Sequence, residues 1–234
     1  MQCILTALKA ESDPLIASFN LSRSSSFDFP VFVNSTQEIY LIGLGVGKSK
    51  VEYRINKFID KINEPLMQFI NIGVAGSNQS FSEIGEIFLI NKITDEQFGH
   101  FYYPDILIDH SMMESDIVTV MDMVNDKDNI YDSLVDMEAS EIFRVCSHVI
   151  PIHNIALIKI VSDHMEMDLT NFNGTLISSF ITDKLESIKI FLDRFKHLLK
   201  IAQPILSQMD IDWVHKSKEQ LLLTQTQTKQ LKDK

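Results

Sequence analysis

Residues 130–166 decide the fold, and the two ends of this stretch carry the candidate chemistry. One end contains Val135-Asp136-Met137-Glu138-Ala139, which opens a helical pattern. The other end is an apolar run that finishes on a hydroxyl and a carboxylate, Ile158-Lys159-Ile160-Val161-Ser162-Asp163. Between them, apolar residues at helical spacing followed by Pro151 predict a helix that leads into a buried strand.

This arrangement puts one acid at the head of a helix and a second acid at the end of a strand. Glu138 and Asp163 are 25 residues apart, which is about the length of one helix and one strand. In open α/β sheets, ligands bind beyond the carboxyl ends of the strands. We therefore expect both carboxylates to reach the same crevice.

The composition excludes several classes of protein. The 234 residues carry a net charge of −11, so a nucleic-acid or membrane surface, which needs clustered lysine and arginine, is not expected. Neither cysteine belongs to a metal-binding pattern, and no apolar run approaches the length of a membrane span. These features predict a cytoplasmic enzyme or binding protein with no metal and no cofactor.

The rest of the chain alternates predicted strands with predicted helices. The predicted strands are 2–8, 31–33, 38–44, 69–76, 86–93 and 116–124. The predicted helices are one capped by Ser12 or Asp13, one over 49–62 and a long amphipathic one over 176–203. This order favours an α/β sandwich with a mixed, largely parallel central sheet flanked by helices, formed by residues 1–204. Residues 205–234 are predicted to be a helical or partly disordered tail.

Six short motifs follow one another along the first 200 residues. In chain order they are Glu11 after the first strand, Gly45–Lys48, Asn71–Gly76, Ile84–Ile87, Asp136–Ala139 and Ser162-Asp163. This series resembles the nucleoside phosphorylase/nucleosidase superfamily, and within it the bacterial methylthioadenosine/S-adenosylhomocysteine nucleosidases. The resemblance implies a three-layer sandwich, a homodimer, and cleavage of the N-glycosidic bond of a purine nucleoside, with adenine as the expected base.

The resemblance also implies roles for individual residues. Asp163 matches the acid that protonates the leaving base at N7, and Glu11 matches the base that activates water. Glu138 matches the carboxylate that holds the ribose hydroxyls, and Met137 matches the side chain beneath the sugar. The further substrate-binding residues implied are Val74, Ala75 and Gly76 along the pocket, Met123 and Val124 at the base edge, Ser162 beside the acid, and the pocket-closing Phe172.

Three acids with different tasks suit this chemistry. Breaking the C–N bond leaves positive charge on the ribose and negative charge on the purine. A general acid relieves the second charge, and carboxylates near the sugar relieve the first. Glu138 is therefore expected to be ionised, so that it accepts hydrogen bonds from the ribose.

Other interpretations stay open. The segment from Gly43 to Lys48 is one residue shorter than a Walker motif requires, which disfavours a nucleoside triphosphatase. Phosphorolysis needs cationic groups for phosphate, but none of the four arginines lies in the early glycine or first-strand turns. A nucleoside-binding protein without catalysis is a third possibility. Taken singly, Glu138 also fits a helix-start acid, and Asp163 fits a turn residue.

Overall fold

The structure, a computed structural model, describes residues 1–36, 38–64, 66–124, 130–165, 173–201, 208–221 and 224. The chain forms two compact units, Met1–Leu199 and Lys200–Lys234. Every described strand belongs to the first unit. Among the described helices, none combines the length and the apolar character needed to cross a membrane.

The predicted strands and helices occur in the predicted order, and the structure adds three short strands, Ser22–Arg23, His100–Tyr102 and Leu134–Asp136, that were not predicted. The strands are β1 (Gln2–Thr6), β2 (Ser22–Arg23), β3 (Val31–Val33), β4 (Ile39–Gly43), β5 (Gln68–Gly76), β6 (Ile87–Asp95), β7 (His100–Tyr102), β8 (Met113–Thr119), β9 (Leu134–Asp136) and β10 (Ile155–Asp163). The helices are α1 (Lys9–Ser18), α2 (Lys48–Ile62), α3 (Ala139–Ser147), α4 (Gly174–Asp183), α5 (Leu185–Ile201) and α6 (Gln208–Leu221). The α/β class and the mixed sheet are therefore confirmed.

Part of the sheet closes on itself. The strand order is β10-β6-β8-β9-β5-β1-β4-β3-β2, and β10 also pairs in parallel with β5. Strands β10, β6, β8, β9 and β5 therefore form a closed barrel, strands β1, β4, β3 and β2 extend it from β5, and β7 pairs with β6. The longest ladders, β5 with β10 and β6 with β8, are parallel, whereas β6 meets β10 in antiparallel fashion.

Two apolar clusters lie on opposite faces of the central strands. In β1, Cys3 and Leu5 belong to one cluster and Ile4 to the other, as the alternation of side chains along a strand requires. Helices α2 and α3 contribute to the first cluster, and α1, α4 and α5 contribute to the second. Both faces of the sheet are therefore covered, which explains why β5 and β10 are almost continuously apolar.

Helix α1 begins earlier than predicted. It starts at Lys9, and the side chain of Glu11 caps it, so neither Ser12 nor Asp13 is the cap. Pro14 lies inside the helix, where it has no N–H to donate to the carbonyl of Ala10. Ser178 of α4 donates to that carbonyl instead, at 2.8 Å. The cost of an internal proline is thereby reduced.

The single helix predicted over 176–203 is two helices. Lys184 separates the two helices, and its N–H bonds to the carbonyl of Ile181 in a tightened final turn of α4. Ile181 and Ile188 nevertheless belong to the same apolar cluster, so the helical spacing of apolar residues continues from α4 into α5. Strand β8 is also displaced from its predicted range, since it ends at Thr119.

Candidate active site

The carboxyl ends of the parallel strands β5 and β10 meet the short antiparallel strand β9 at Gly76. Asp163 at the end of β10 lies in register with Gly76 of β5, and Gly76 in turn pairs with Val135 of β9. Glu138 follows β9 as the N-cap of α3. Glu11, in the first turn of α1, reaches β5 at Val74. The structure thus brings all three predicted acids to the same end of β5.

Both carboxylate oxygens of Asp163 are held by neighbouring groups. Oδ2 accepts the Ser162 hydroxyl at 2.6 Å, and Oδ1 accepts the N–H of Met165 at 2.9 Å. The Ser162 oxygen also lies 3.3 Å from the carbonyl oxygen of Ala75. Ser162 and the chain after β10 therefore fix the orientation of the Asp163 side chain at the strand end.

Glu11 is buried and accepts three backbone hydrogen bonds. Oε2 accepts the N–H groups of Ala7 and Leu8 at 2.9 and 2.8 Å, and Oε1 accepts the N–H of Val74 at 3.0 Å. Burial raises the pKa of Glu11, and these bonds and the nearby Lys159 offset part of that rise. Because a carboxylate offers about four acceptor sites, one remains for a further donor.

Gly73 makes the approach of Glu11 possible. A Cβ atom added to Gly73 would lie 2.9 Å from Glu11 Oε1. Glycine inside a strand is often a sign that another group comes close to the backbone. Gly76 has a similar role, because a Cβ there would lie 2.7 Å from Cγ of Met165 and 3.3 Å from Oδ1 of Asp163.

Glu138 differs from the expectation of a fully ionised carboxylate. Burial raises its pKa to about 7, and the neighbouring carboxylate of Asp136 adds to the rise. Lys159 and a hydrogen bond from the backbone of Gly47 act in the opposite direction. The Gly45–Lys48 turn therefore contacts the site through Gly47, which has a φ of +105°.

A buried ion pair that was not predicted from the sequence lies among these acids. Nζ of Lys159 is 2.8 Å from Oδ2 of Asp136, and both side chains are at most 3% exposed. Burial alone would lower the pKa of Lys159, but the charges of Asp136, Glu11 and Glu138 more than compensate and raise it. The available signal was a lysine within an apolar strand, since buried charges are almost always paired.

An apolar cluster lies beside Asp163. Met165 packs with Val120 and Val135, and Met137 and Val124 are partly buried against them. Met165 is only 5% exposed and has a φ of +56°, a conformation that is strained for a non-glycine residue. Met137 and Val124, both predicted from the sequence, therefore share one surface with Met165, which was not predicted.

The remaining predicted residues have separate outcomes. Val74 and Ala75 lie on β5 next to the acids, as described above. The side chain of Met123 is 64% exposed and does not join the cluster formed by its neighbour Val124. Phe172 lies outside the described residues. In the described part of the chain, no three His, Cys, Asp or Glu side chains are grouped to hold a metal.

The close contact between Gly73 and Glu11 gives a first prediction. Gly73→Ala should displace the Glu11 carboxylate from its three N–H donors and lower the free energy of unfolding by about 1–3 kcal/mol. Urea denaturation would measure the loss. Gly174→Ala is the control, because a Cβ there lies at an ordinary 3.5 Å from Ala10 and should be nearly neutral. Equal stability of the two variants would show that Glu11 is not held as described.

The raised pKa of Glu138 gives a second prediction. Unfolded glutamate titrates near 4.5 and folded Glu138 near 7, so ionisation between these values opposes folding and the loss is complete above pH 7. Glu138→Gln removes this ionisation. The free energy of unfolding of the variant minus that of wild type should therefore increase by about 2 kcal/mol from pH 5 to pH 8.

The control for this prediction is Glu83→Gln, at an exposed glutamate in the loop before β6. It should change stability by less than about 0.5 kcal/mol at both pH values. Urea denaturation at the two pH values is the measurement. A Glu138→Gln effect that does not depend on pH would contradict the assignment of the titrating group.

Comparison with known proteins identifies the fold. No protein-family model and no curated protein matches the sequence. The structure matches the methylthioadenosine/S-adenosylhomocysteine nucleosidase of S. pneumoniae with a TM-score of 0.67 and 17% identity, over 85% of this chain and all of the other. The corresponding Helicobacter pylori nucleosidase gives 0.63 and 16%, over 82% of this chain and 97% of the other.

A third similar structure is the futalosine hydrolase of Helicobacter pylori. Its TM-score is 0.63 at 17% identity, over 82% of this chain and 97% of the other. All three matches span nearly the whole of the known proteins, so the likeness covers a complete domain and not one motif. The chain therefore has the same fold as these two nucleosidases and the futalosine hydrolase.

Proposed function

We propose that this protein hydrolyses the N-glycosidic bond of a purine nucleoside, with adenine as the expected base, and releases the free base and a ribose derivative. The observation that carries the proposal is the convergence of Glu11, Glu138 and Asp163 at the carboxyl end of β5. Three acids with different environments at one strand end suit a reaction that needs a proton donor, a ribose ligand and a base for water. The catalytic domain is proposed to be residues 1–204.

Asp163 is proposed as the general acid. The Ser162 hydroxyl and the Met165 N–H hold one oxygen each, which orients the carboxyl group toward a base stacked beside Met165. A proton delivered from Asp163 to N7 neutralises the purine as the C–N bond breaks. The apolar cluster of Val120, Val124, Val135 and Met165 supports a flat, weakly polar base at this position.

Glu138 is proposed to hold the ribose hydroxyls, with Met137 beneath the sugar. The pKa of Glu138 is near 7, and hydroxyl donors from the ribose would favour its ionised form because they donate hydrogen bonds to the carboxylate. The same carboxylate faces the positive charge that develops on the ribose. Binding of the sugar and stabilisation of the transition state therefore favour the same protonation state of Glu138.

Glu11 is proposed to activate the attacking water. Its three backbone donors leave one acceptor site, and its raised pKa brings it closer to the pH at which a general base is most effective. Lys159 lies near both Glu11 and Glu138, and its positive charge keeps two neighbouring glutamates ionisable. The water oxygen bonds to the ribose carbon as its bond to the purine nitrogen breaks, Glu11 takes one proton from the water, and Asp163 gives a different proton to N7 of the purine. Loss of a proton from Glu11 to solvent and gain of one by Asp163 then restore both carboxyl groups.

The proposal includes the finer features that the sequence predicted. Helices α2 and α3 on one face and α1, α4 and α5 on the other support a three-layer sandwich around the sheet. Cys3 and Cys146 are buried and unpaired, which supports a cytoplasmic location. Phosphorolysis is the main alternative, and a non-catalytic nucleoside-binding protein is the other.

A nucleoside panel tests the proposed function. In phosphate-free buffer the protein should release free base from methylthioadenosine, S-adenosylhomocysteine, adenosine, inosine or futalosine, measured by chromatography. Base release that requires added phosphate would establish the phosphorolytic alternative. Nucleoside binding without base release would establish the binding protein.

Asp163→Asn tests the general acid. The amide retains the shape of the side chain but cannot deliver the proton, so kcat should fall by about 100-fold or more. Asp193→Asn, at an exposed position on α5, is the matched control and should retain full activity. Circular dichroism should show that both variants are folded. Near-normal turnover by Asp163→Asn would remove Asp163 from the proposed mechanism.

We also propose a homodimer, as the resemblance implies. Aromatic side chains around β7 are exposed, namely Phe98, Phe101 and Tyr103, each with more than half of its surface accessible. Exposed aromatic groups of this kind are enriched at protein interfaces. Sedimentation equilibrium should give a mass about twice the 26.8 kDa of the chain. Phe101→Lys should shift the mass toward that of the monomer, and a wild-type monomer would contradict the proposal.

A further inference from the structure

Asp95 is a buried carboxylate that has no role in the reaction proposed above. It lies at the end of β6 and is 5% exposed. Its Oδ2 accepts Nζ of Lys48 at 3.1 Å and the hydroxyl of Ser140 at 2.8 Å, while Oδ1 accepts the N–H of Phe98 at 3.2 Å. A buried carboxylate with three donors from three segments fixes those segments relative to one another.

Two of these segments are the helix starts that carry the site. Lys48 is the first residue of α2 and directly follows Gly47. Ser140 is the second residue of α3, two positions after Glu138. Asp95 therefore links the turn before α2 to the helix start that carries Glu138.

The network continues from Ser140 to the buried ion pair. The N–H of Ser140 donates to Oγ1 of Thr119 at 3.0 Å, and the Thr119 hydroxyl donates to Oδ1 of Asp136 at 2.8 Å. Asp95, Thr119 and Asp136 are register partners across β6, β8 and β9, so they lie at one level of the barrel. Asp136 then binds Lys159.

The opposite charges of Lys48 and Asp95 favour a fixed arrangement of these two side chains. The Lys48 side chain is 22% exposed and that of Asp95 is 8% exposed, so this pair is screened less than a surface pair. Burial opposes ionisation of Asp95, but the bonds from Ser140 and Lys48 outweigh it and hold its pKa below the usual value. Lys48 also lies 5.5 Å from the centre of the Phe98 ring.

We infer that Asp95 is a positioning residue for the ribose-binding carboxylate: with Lys48 and Ser140, it ties the start of α2 to the start of α3, whose N-cap is Glu138. The inference rests on the proposed function and deepens it, because it assigns a cause to the geometry of Glu138. Glu138 is surrounded by Asp136 on β9, Lys159 on β10, Glu11 on α1 and the Gly47 backbone on the turn before α2. Of these, the turn depends on the Lys48–Asp95 pair.

The test uses two variants that break the pair from opposite sides, Asp95→Asn and Lys48→Met. Each should lower kcat/KM for nucleoside hydrolysis by about 10- to 100-fold, as is usual when a group that orients a functional side chain is removed. Asp116→Asn is the matched control, because Asp116 also pairs with a lysine, Lys92, but is about one-third exposed and lies away from Glu138. It should retain full kcat/KM.

The pH profile of kcat/KM separates positioning from a simple effect of charge. Loosening the Gly47 bond removes a contribution that lowers the pKa of Glu138, so the acid limb should move to higher pH in both variants. A through-space charge effect would instead move the limb down when the negative Asp95 is lost and up when the positive Lys48 is lost. A structural defect alone would lower the amount of active protein and leave the limb unchanged.

The outcomes are distinct. A shift of the limb to higher pH in both variants supports the inference, and opposite shifts or no shift overturn it. If Asp95→Asn does not fold, the more exposed Lys48→Met decides the question by the same criterion, with Ser140→Ala as its partner from α3. Failure of the proposed function itself would appear in the wild type, as absence of base release from every nucleoside tested.

Discussion

The buried ammonium group of Lys159 is the charge on which the candidate site depends. Three carboxylates, those of Glu11, Asp136 and Glu138, lie within its electrostatic reach. Burial raises the pKa of both glutamates, the charges of Asp136 and Glu11 add to the rise at Glu138, and the lysine lowers the pKa of each glutamate. One fixed ion pair with Asp136 satisfies the charge of the lysine and leaves the two glutamates close to it. The candidate site can therefore hold several acids at one strand end, although burying them opposes folding.

Much of the fold follows from the sequence because the signals are local. The apolar run of β5 and the amphipathic pattern of α2 predict these elements to within one residue, and the apolar run of β10 predicts its end at Asp163 but not its start at Ile155. The predicted start of α1 was wrong because the helix is capped by Glu11, whose long side chain reaches back to the N–H of Leu8, and not by a serine or an aspartate. The break at Lys184 was missed because Ile181 and Ile188 keep the same face across it. Closure of the barrel depends on the pairing of β10 with two strands, which no single segment encodes.

The site was predictable where a residue type is rare in its setting. A glycine at the end of a strand indicated Gly76, an acid at the start of a helix indicated Glu138, and an acid at the end of a strand indicated Asp163. The structure brings these positions together. Lys159 and Gly73 carried the same kind of signal, a charge and a glycine inside apolar strands, and their partners could not be inferred without the fold. The pKa of Glu138 near 7 was not predictable, since it arises from burial and from Asp136 acting together.

The choice between water and phosphate follows from the backbone donors. The N-terminus of a helix such as α2 attracts anions, and the glycine turn before it exposes N–H groups that could bind phosphate. Here the carboxylate of Glu138 lies near the Gly47 backbone, and the carboxylate of Glu11 accepts the N–H groups of Ala7, Leu8 and Val74. A phosphate dianion at either place would lie beside a carboxylate. Water meets no such repulsion, so in the proposed reaction, with Glu11 as the proposed base, the position of the two acids supports hydrolysis over phosphorolysis.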